Sequence, residues 1–86
     1  MRAKKIIGYL FVIYQPASFT IANLGSIHFE QAGLYMFEQT GKKWFVTTSD
    51  PTHKLNKLSF NLNGKKYNID LPQKDDLGKS ITKPLN

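Results

Sequence analysis

The sequence predicts an all-β domain, a small antiparallel barrel or sandwich of about six short strands, on three observations. A motif occurs twice: Phe37-Glu38-Gln39-Thr40-Gly41-Lys42-Lys43-Trp44-Phe45-Val46 and Phe60-Asn61-Leu62-Asn63-Gly64-Lys65-Lys66-Tyr67-Asn68-Ile69 both read Phe-x-x-x-Gly-Lys-Lys-aromatic-x-(Val or Ile). Around the second copy, apolar and polar residues alternate with period two, as they must in a strand with one wet face. Turn signals recur at short intervals along the remaining chain, a pattern of small barrels and sandwiches.

Taken in order, the chain starts with a basic stretch, residues 1–5, followed by a continuous apolar run over residues 6–14. The β-branched and aromatic content of that run suits a strand buried on both faces. It is too short to span a bilayer, which takes about 20 residues. We expect it to be the central strand of a cytoplasmic protein. The basic start, the apolar run and Pro16-Ala17-Ser18 also fit the outline of a secretory signal peptide over residues 1–18. Pro16 presets φ and lacks a ladder donor, so residues 15–18 should turn. Residues 19–22 read as a short strand closed by Asn23-Leu24-Gly25-Ser26. Ile27 and Phe29 then alternate with Ser26, His28 and Glu30 in a half-buried strand, and Gln31-Ala32-Gly33 turns the chain into the first hairpin. Asp50-Pro51 has the form of a helix start, an acidic cap with proline at the first helical position. It predicts one or two helical turns near 51–57, with Leu55 and Leu58 inward. The second hairpin ends at Leu71-Pro72. Residues 73–86 are polar and lysine-rich and are expected to form a flexible tail beside one compact domain, residues 1–72.

The hairpin registers follow from the turns. Asn63-Gly64 suits a type I′ turn, which needs positive φ at both central residues. It pairs Leu62 with Lys65, Phe60 with Tyr67 and Leu58 with Ile69, and leaves Ser59, Asn61, Lys66, Asn68 and Asp70 on a polar face. Aligned on its glycine, the first hairpin would turn at Thr40-Gly41 and pair Phe37 with Trp44, Tyr35 with Val46 and Glu38 with Lys43. Its other face carries Leu34, Met36 and Phe45. The apolar N-terminal strand is expected to cover that face; left open, it would be a patch for a partner.

The chain has 12 Lys and Arg against 6 Asp and Glu, a formal charge of +6, which favours acidic partners. It has no cysteine, hence no disulfide and no thiolate metal site. Its nitrogen ligands are His28 and His53; His28 and Glu30 share a strand face, but a zinc site wants three or four ligands. The carboxylates are scattered, no nucleophile–base spacing occurs, and there is no glycine-rich phosphate loop. We expect no enzyme and no cofactor. The best functional signal is the pair of basic tips: Lys42, Lys43, Lys65 and Lys66, with Trp44 and Tyr67 beside them. Lysines neutralise phosphates and aromatics stack on unpaired bases, so nucleic acid is the first expected partner. The register, however, points Trp44 and Tyr67 at the core.

Phe29-x-x-x-Gly33-x-Tyr35-x-Phe37 is similar to a strand–turn–strand phrase of immunoglobulin-like modules in bacterial surface proteins. The resemblance covers nine residues and implies a secreted adhesive module, although 86 residues is short for that fold. A further alternative is a small inhibitor or accessory protein, of the kind mobile elements encode, docking on an acidic protein surface or through a sheet edge or the Leu34, Met36 and Phe45 face.

Overall fold

The structure, a computed structural model, describes residues 6–71 and 83–85; the side chains of Ile6, Ile7 and Lys83 lie outside the description. The strands are β1 (Ile6–Ile13), β2 (Ala17–Ile21), β3 (Gly25–Phe29), β4 (Gly33–Thr40), β5 (Lys43–Ser49), β6 (Lys57–Leu62), β7 (Lys65–Asp70) and β8 (Lys83–Leu85). They form two four-stranded antiparallel sheets, β1-β4-β5-β8 and β2-β3-β6-β7. The fold is therefore the all-β class expected from the sequence, and of the two architectures it is the sandwich. We call the two layers sheet A and sheet B.

The connectivity gives the sandwich two unlike ends. The three hairpin turns, at residues 22–24, 41–42 and 63–64, join neighbouring strands within one sheet. The links at 14–16, 30–32 and 50–56 pass from one sheet to the other. Because every pair is antiparallel, all the hairpin turns open at one end and all these links lie at the opposite end. Below, these are the hairpin end and the link end.

The core lies between the sheets and is rich in aromatic rings. Phe29 of β3 contacts Phe11 of β1, Tyr35 and Phe37 of β4, and Phe60 of β6, with ring centroids 4.4–6.2 Å apart. Ile13, Ile21, Ile27, Trp44, Val46, Leu58, Leu62, Ile69, Leu71 and Leu85 complete the buried set. The Tyr35 hydroxyl, inside this core, donates to the Gln31 carbonyl at 2.8 Å, and desolvation pushes its pKa up to about 12. Gln31 Oε1 in turn accepts from the Ser59 amide at 2.9 Å, so the link before β4 is tied to both sheets. A tyrosine bonded to a backbone carbonyl a few residues upstream is also the corner device of immunoglobulin-type sandwiches.

Several expectations are corrected. β1 is an edge strand of sheet A and not a central one. Of its described side chains, Tyr9, Phe11 and Ile13 are on the core side, while Leu10 and Val12 are 57% and 48% exposed. A continuous apolar run reads as doubly buried, but here its second face is open. No helix forms at 51–57. Asp50 does cap: its carboxylate accepts from the amides of Thr52, Lys54 and Leu55 at 2.7–3.0 Å and from the Thr52 hydroxyl at 2.6 Å. His53, however, takes a φ of 59°, which ends any helix after its first turn. Of the expected tail, residues 83–85 form β8 against β5, with Leu85 buried. The rest of the tail lies outside the described residues, as do residues 1–5 of the basic start.

Candidate functional site

The second hairpin has its predicted register. Asn63 and Gly64 both have positive φ, 53° and 84°, and Leu62 pairs with Lys65, Phe60 with Tyr67 and Leu58 with Ile69. The first hairpin does not follow its own glycine alignment. Its turn is Gly41-Lys42, with positive φ at Gly41 (63°) and not at Lys42, the pattern of a type II′ turn with glycine first. Thr40, β-branched, stays in the strand and pairs with Lys43. Phe37 therefore pairs with Val46, Tyr35 with Thr48, Gln39 with Trp44 and Glu38 with Phe45. The slip is two residues, and since side chains alternate with period two, every residue keeps its predicted face. The repeat is thus one of sequence: its glycine is first in one turn and second in the other.

Topology brings the four lysines of the two tips to the hairpin end. Lys42, Lys43, Lys65 and Lys66 are all exposed there. The only described carboxylate on the strands near them is Glu38, on the outer face of sheet A opposite Phe45. Glu30, Asp50 and Asp70 all lie toward the link end, with Lys54 and Lys57. Among the described residues, charge is uneven along the sandwich, with four lysines against Glu38 at the hairpin end and Lys54 and Lys57 against Glu30, Asp50 and Asp70 at the link end, which no local pattern in the sequence discloses.

The aromatics are placed otherwise than nucleobase stacking requires. Trp44 is 6% exposed, with its ring centroid 6.2 Å from that of Tyr9. Its expected role as a stacking platform is withdrawn: the core-facing strand position predicted by the alternation takes the ring out of solvent. Tyr67 is half-buried and stacks on Phe60, the centroids 5.4 Å apart and the planes 8° from parallel. The Lys65 ammonium stands 5.3 Å from the Tyr67 centroid, a cation–π contact that holds one of the four charges near the tip.

The hairpin end is braced by a residue that sequence reasoning used only for its turn. The Asn63 amide donates to the Ser26 carbonyl at 2.8 Å. Its side-chain oxygen accepts from the Ser26 amide at 3.0 Å, and its side-chain nitrogen donates to the Leu24 carbonyl at 3.1 Å. The 63–64 turn is thereby fastened to the 22–24 turn. Gly25, at φ 131°, lies directly under the Asn63 side chain, where a Cβ would overlap the amide group. The asparagine–glycine dipeptide gave the turn; partners 37 and 39 residues away along the chain have no local signal.

The outer faces of the two sheets differ. That of sheet B carries Ser18, His28, Ser59, Asn61, Lys66, Asn68 and Asp70; His28 Nδ1 lies 2.7 Å from the Ser18 hydroxyl and its Nε2 3.7 Å from Glu30. Among the described residues no three histidine, cysteine or acidic side chains group as metal ligands do. The outer face of sheet A carries Leu34, Met36 and Phe45, all half-buried. The expectation that the N-terminal strand covers this face is overturned. β1 pairs beside β4 in the same sheet and extends the face, with Leu10 opposite Met36 and Val12 opposite Leu34.

At the link end, Val12, Tyr14, Leu34 and Pro51 line an open cleft of about 390 Å³ that also touches Asp50 and Thr52. Burial pushes the Asp50 carboxyl up, but the Thr52 hydroxyl and the backbone amides of Leu55, Thr52 and Lys54 outweigh it and hold the pKa below the ordinary value. Both oxygens of Asp50 are engaged in these bonds, so it is a structural carboxylate. No helix among the described residues is long and apolar enough to cross a membrane. No family model, curated protein or solved structure matches the chain.

Proposed function

We propose that this domain is a non-catalytic binding module whose hairpin end engages the phosphate backbone of nucleic acid. The observation that carries the reading is the convergence of Lys42, Lys43, Lys65 and Lys66 at one end, away from Glu30, Asp50 and Asp70. Such a surface attracts a polyanion and releases its counterions. With Trp44 in the core and Tyr67 held against Phe60, the recognition is electrostatic and indifferent to sequence. Non-specific binding of this kind has dissociation constants of roughly 10⁻⁴–10⁻⁶ M at physiological salt.

Anisotropy of labelled single-stranded DNA and RNA, titrated at increasing salt, tests the reading. Four neutralised phosphates predict a slope of log K against log salt of roughly −3 for single strands. Reversing Lys42, Lys43, Lys65 and Lys66 to glutamate should abolish binding with the fold intact. Binding that ignores salt, or survives the reversal, would sink the proposal.

A second reading is favoured by a separate observation. The outer face of sheet A presents Leu10 and Val12 beside Leu34, Met36 and Phe45, an arrangement suited to docking on a protein.

A further inference from the structure

We propose that Asn63 is a covalent modification site: it deamidates through the backbone of its own turn whenever its brace to the 22–24 turn opens, and the product cannot close that brace again.

Asn63 is the only asparagine of the sequence followed by glycine; Asn23, Asn56, Asn61 and Asn68 are followed by Leu, Lys, Leu and Ile. A side chain on the following residue obstructs its backbone nitrogen and restricts its rotation, and glycine does neither. Asn63 and Gly64 are both exposed, and a Cβ on Gly64 would have nothing within 4 Å. Among the described residues, nothing crowds the reacting bond.

The reaction needs only water. The Gly64 backbone nitrogen attacks Asn63 Cγ, the new N–Cγ bond closes a five-membered succinimide, and the Cγ–Nδ2 bond breaks. The proton of the attacking nitrogen leaves with the side-chain amine as ammonia. Water then opens the ring, giving aspartate when it cleaves the new bond and isoaspartate when it cleaves the original peptide bond. One water is taken up, one ammonia is released, and nothing is oxidised or reduced.

The gate is tertiary. Asn63 Oδ1 accepts from the Ser26 amide at 3.0 Å and Nδ2 donates to the Leu24 carbonyl at 3.1 Å, with the amide group lying over Gly25, where a Cβ would overlap it. These bonds hold Cγ toward the neighbouring turn. Attack needs Cγ over the Gly64 nitrogen, so both bonds must part first. The dipeptide supplies the reactivity, and partners 37 and 39 residues away along the chain restrain it.

The change is one-way. A carboxylate has no hydrogen to donate and sets an oxygen against the Leu24 carbonyl. Isoaspartate adds a main-chain carbon to a two-residue turn whose geometry fixes the register. Either product also places a negative charge in the tip that carries Lys65 and Lys66. The weaker hold on a polyanion that this implies is the one consequence that rests on the function proposed above.

The test is incubation of the full chain in mildly alkaline buffer, native and in guanidinium chloride, with the mass gain of about one dalton located by peptide mapping. Gly25→Ala opens the brace from the other side, Gly64→Ala obstructs the attack, and circular dichroism checks that each variant folds. Asn63 should be the principal site, at least tenfold slower in the native chain than in the denatured one. Folded Gly25→Ala should lose most of that protection, and Gly64→Ala should slow the reaction in denaturant. Equal native and denatured rates, a folded Gly25→Ala that reacts no faster than the unaltered chain, or a principal site elsewhere overturns the proposal. If Gly25→Ala does not fold, the ratio of native to denatured rates decides alone. In an oligonucleotide titration Asn63→Asp should bind at least threefold more weakly than Asn63→Ala, which lacks the brace but adds no charge; equal binding overturns the regulatory consequence. An unaltered chain that binds no oligonucleotide overturns the proposed function and leaves the modification site standing.

Discussion

Asp50 shows how a residue can be read correctly for its chemistry and wrongly for its consequence. The Asp-Pro pair signalled an acidic cap, and the carboxylate does accept amide hydrogens from Thr52, Lys54 and Leu55. What local reading missed is the positive φ at His53, imposed by a link that must reach the other sheet and place Leu58 in the core. The folded-state pKa of Asp50 lies below its ordinary value of 3.8. Its contribution to stability is therefore present above that value and is lost as pH falls through the lower, folded one. Asp50→Asn should cost about 1–3 kcal/mol at neutral pH, because a single amide oxygen replaces two charged acceptors. It should also flatten the fall in stability below about pH 4. Thermal melts of both proteins between pH 7 and pH 2.5 check this; parallel curves would contradict it.

Among the elements, the two tip hairpins mark how far periodicity reaches. The second was legible in full, because Asn63-Gly64 fixes a turn type and the turn type fixes the register. In the first, alternation gave the correct faces for Tyr35, Phe37, Trp44 and Val46, while the turn moved on by one residue, and the pairing by two, to spare Thr40 a positive φ. The N-terminal run gave strand but not position, since a doubly apolar strand reads alike whether its outer face is covered or open. The bracing of the 63–64 turn against the 22–24 turn was not legible at all. It can be broken from either side. Asn63→Ala removes both side-chain bonds and puts alanine at positive φ, a loss of about 1–3 kcal/mol. Gly25→Ala, whose Cβ would overlap Asn63, should cost at least as much. Urea unfolding of the two single variants and the double variant measures the coupling. Strictly additive losses would mean that the turns are not fastened together.

At the scale of the whole molecule, alternating hairpins and sheet-crossing links sort the charges. Every hairpin turn lies at one end, so lysines written 20 or more residues apart share that end, and three of the four described carboxylates go to the other end. The sequence disclosed the excess of lysine and the tips that carry it. It could not disclose that the tips belong to different sheets and point the same way, because that depends on which strands pair. Nor could it place Trp44 beside Lys43 in space and yet out of reach of solvent, except through the alternation that already aimed it inward. Fold alone assigns no activity to such a sandwich. The end with four lysines and the open apolar face of sheet A are separate surfaces, and they make separate claims.

The most direct measurement is amide NMR of the isotope-labelled chain titrated with a short single-stranded oligonucleotide at low salt. The account predicts shifts concentrated at Gly41, Lys42, Lys43, Gly64, Lys65 and Lys66, disappearing as salt is raised. Shifts centred on the link end or on the outer face of sheet A, or no shifts at all, would contradict it.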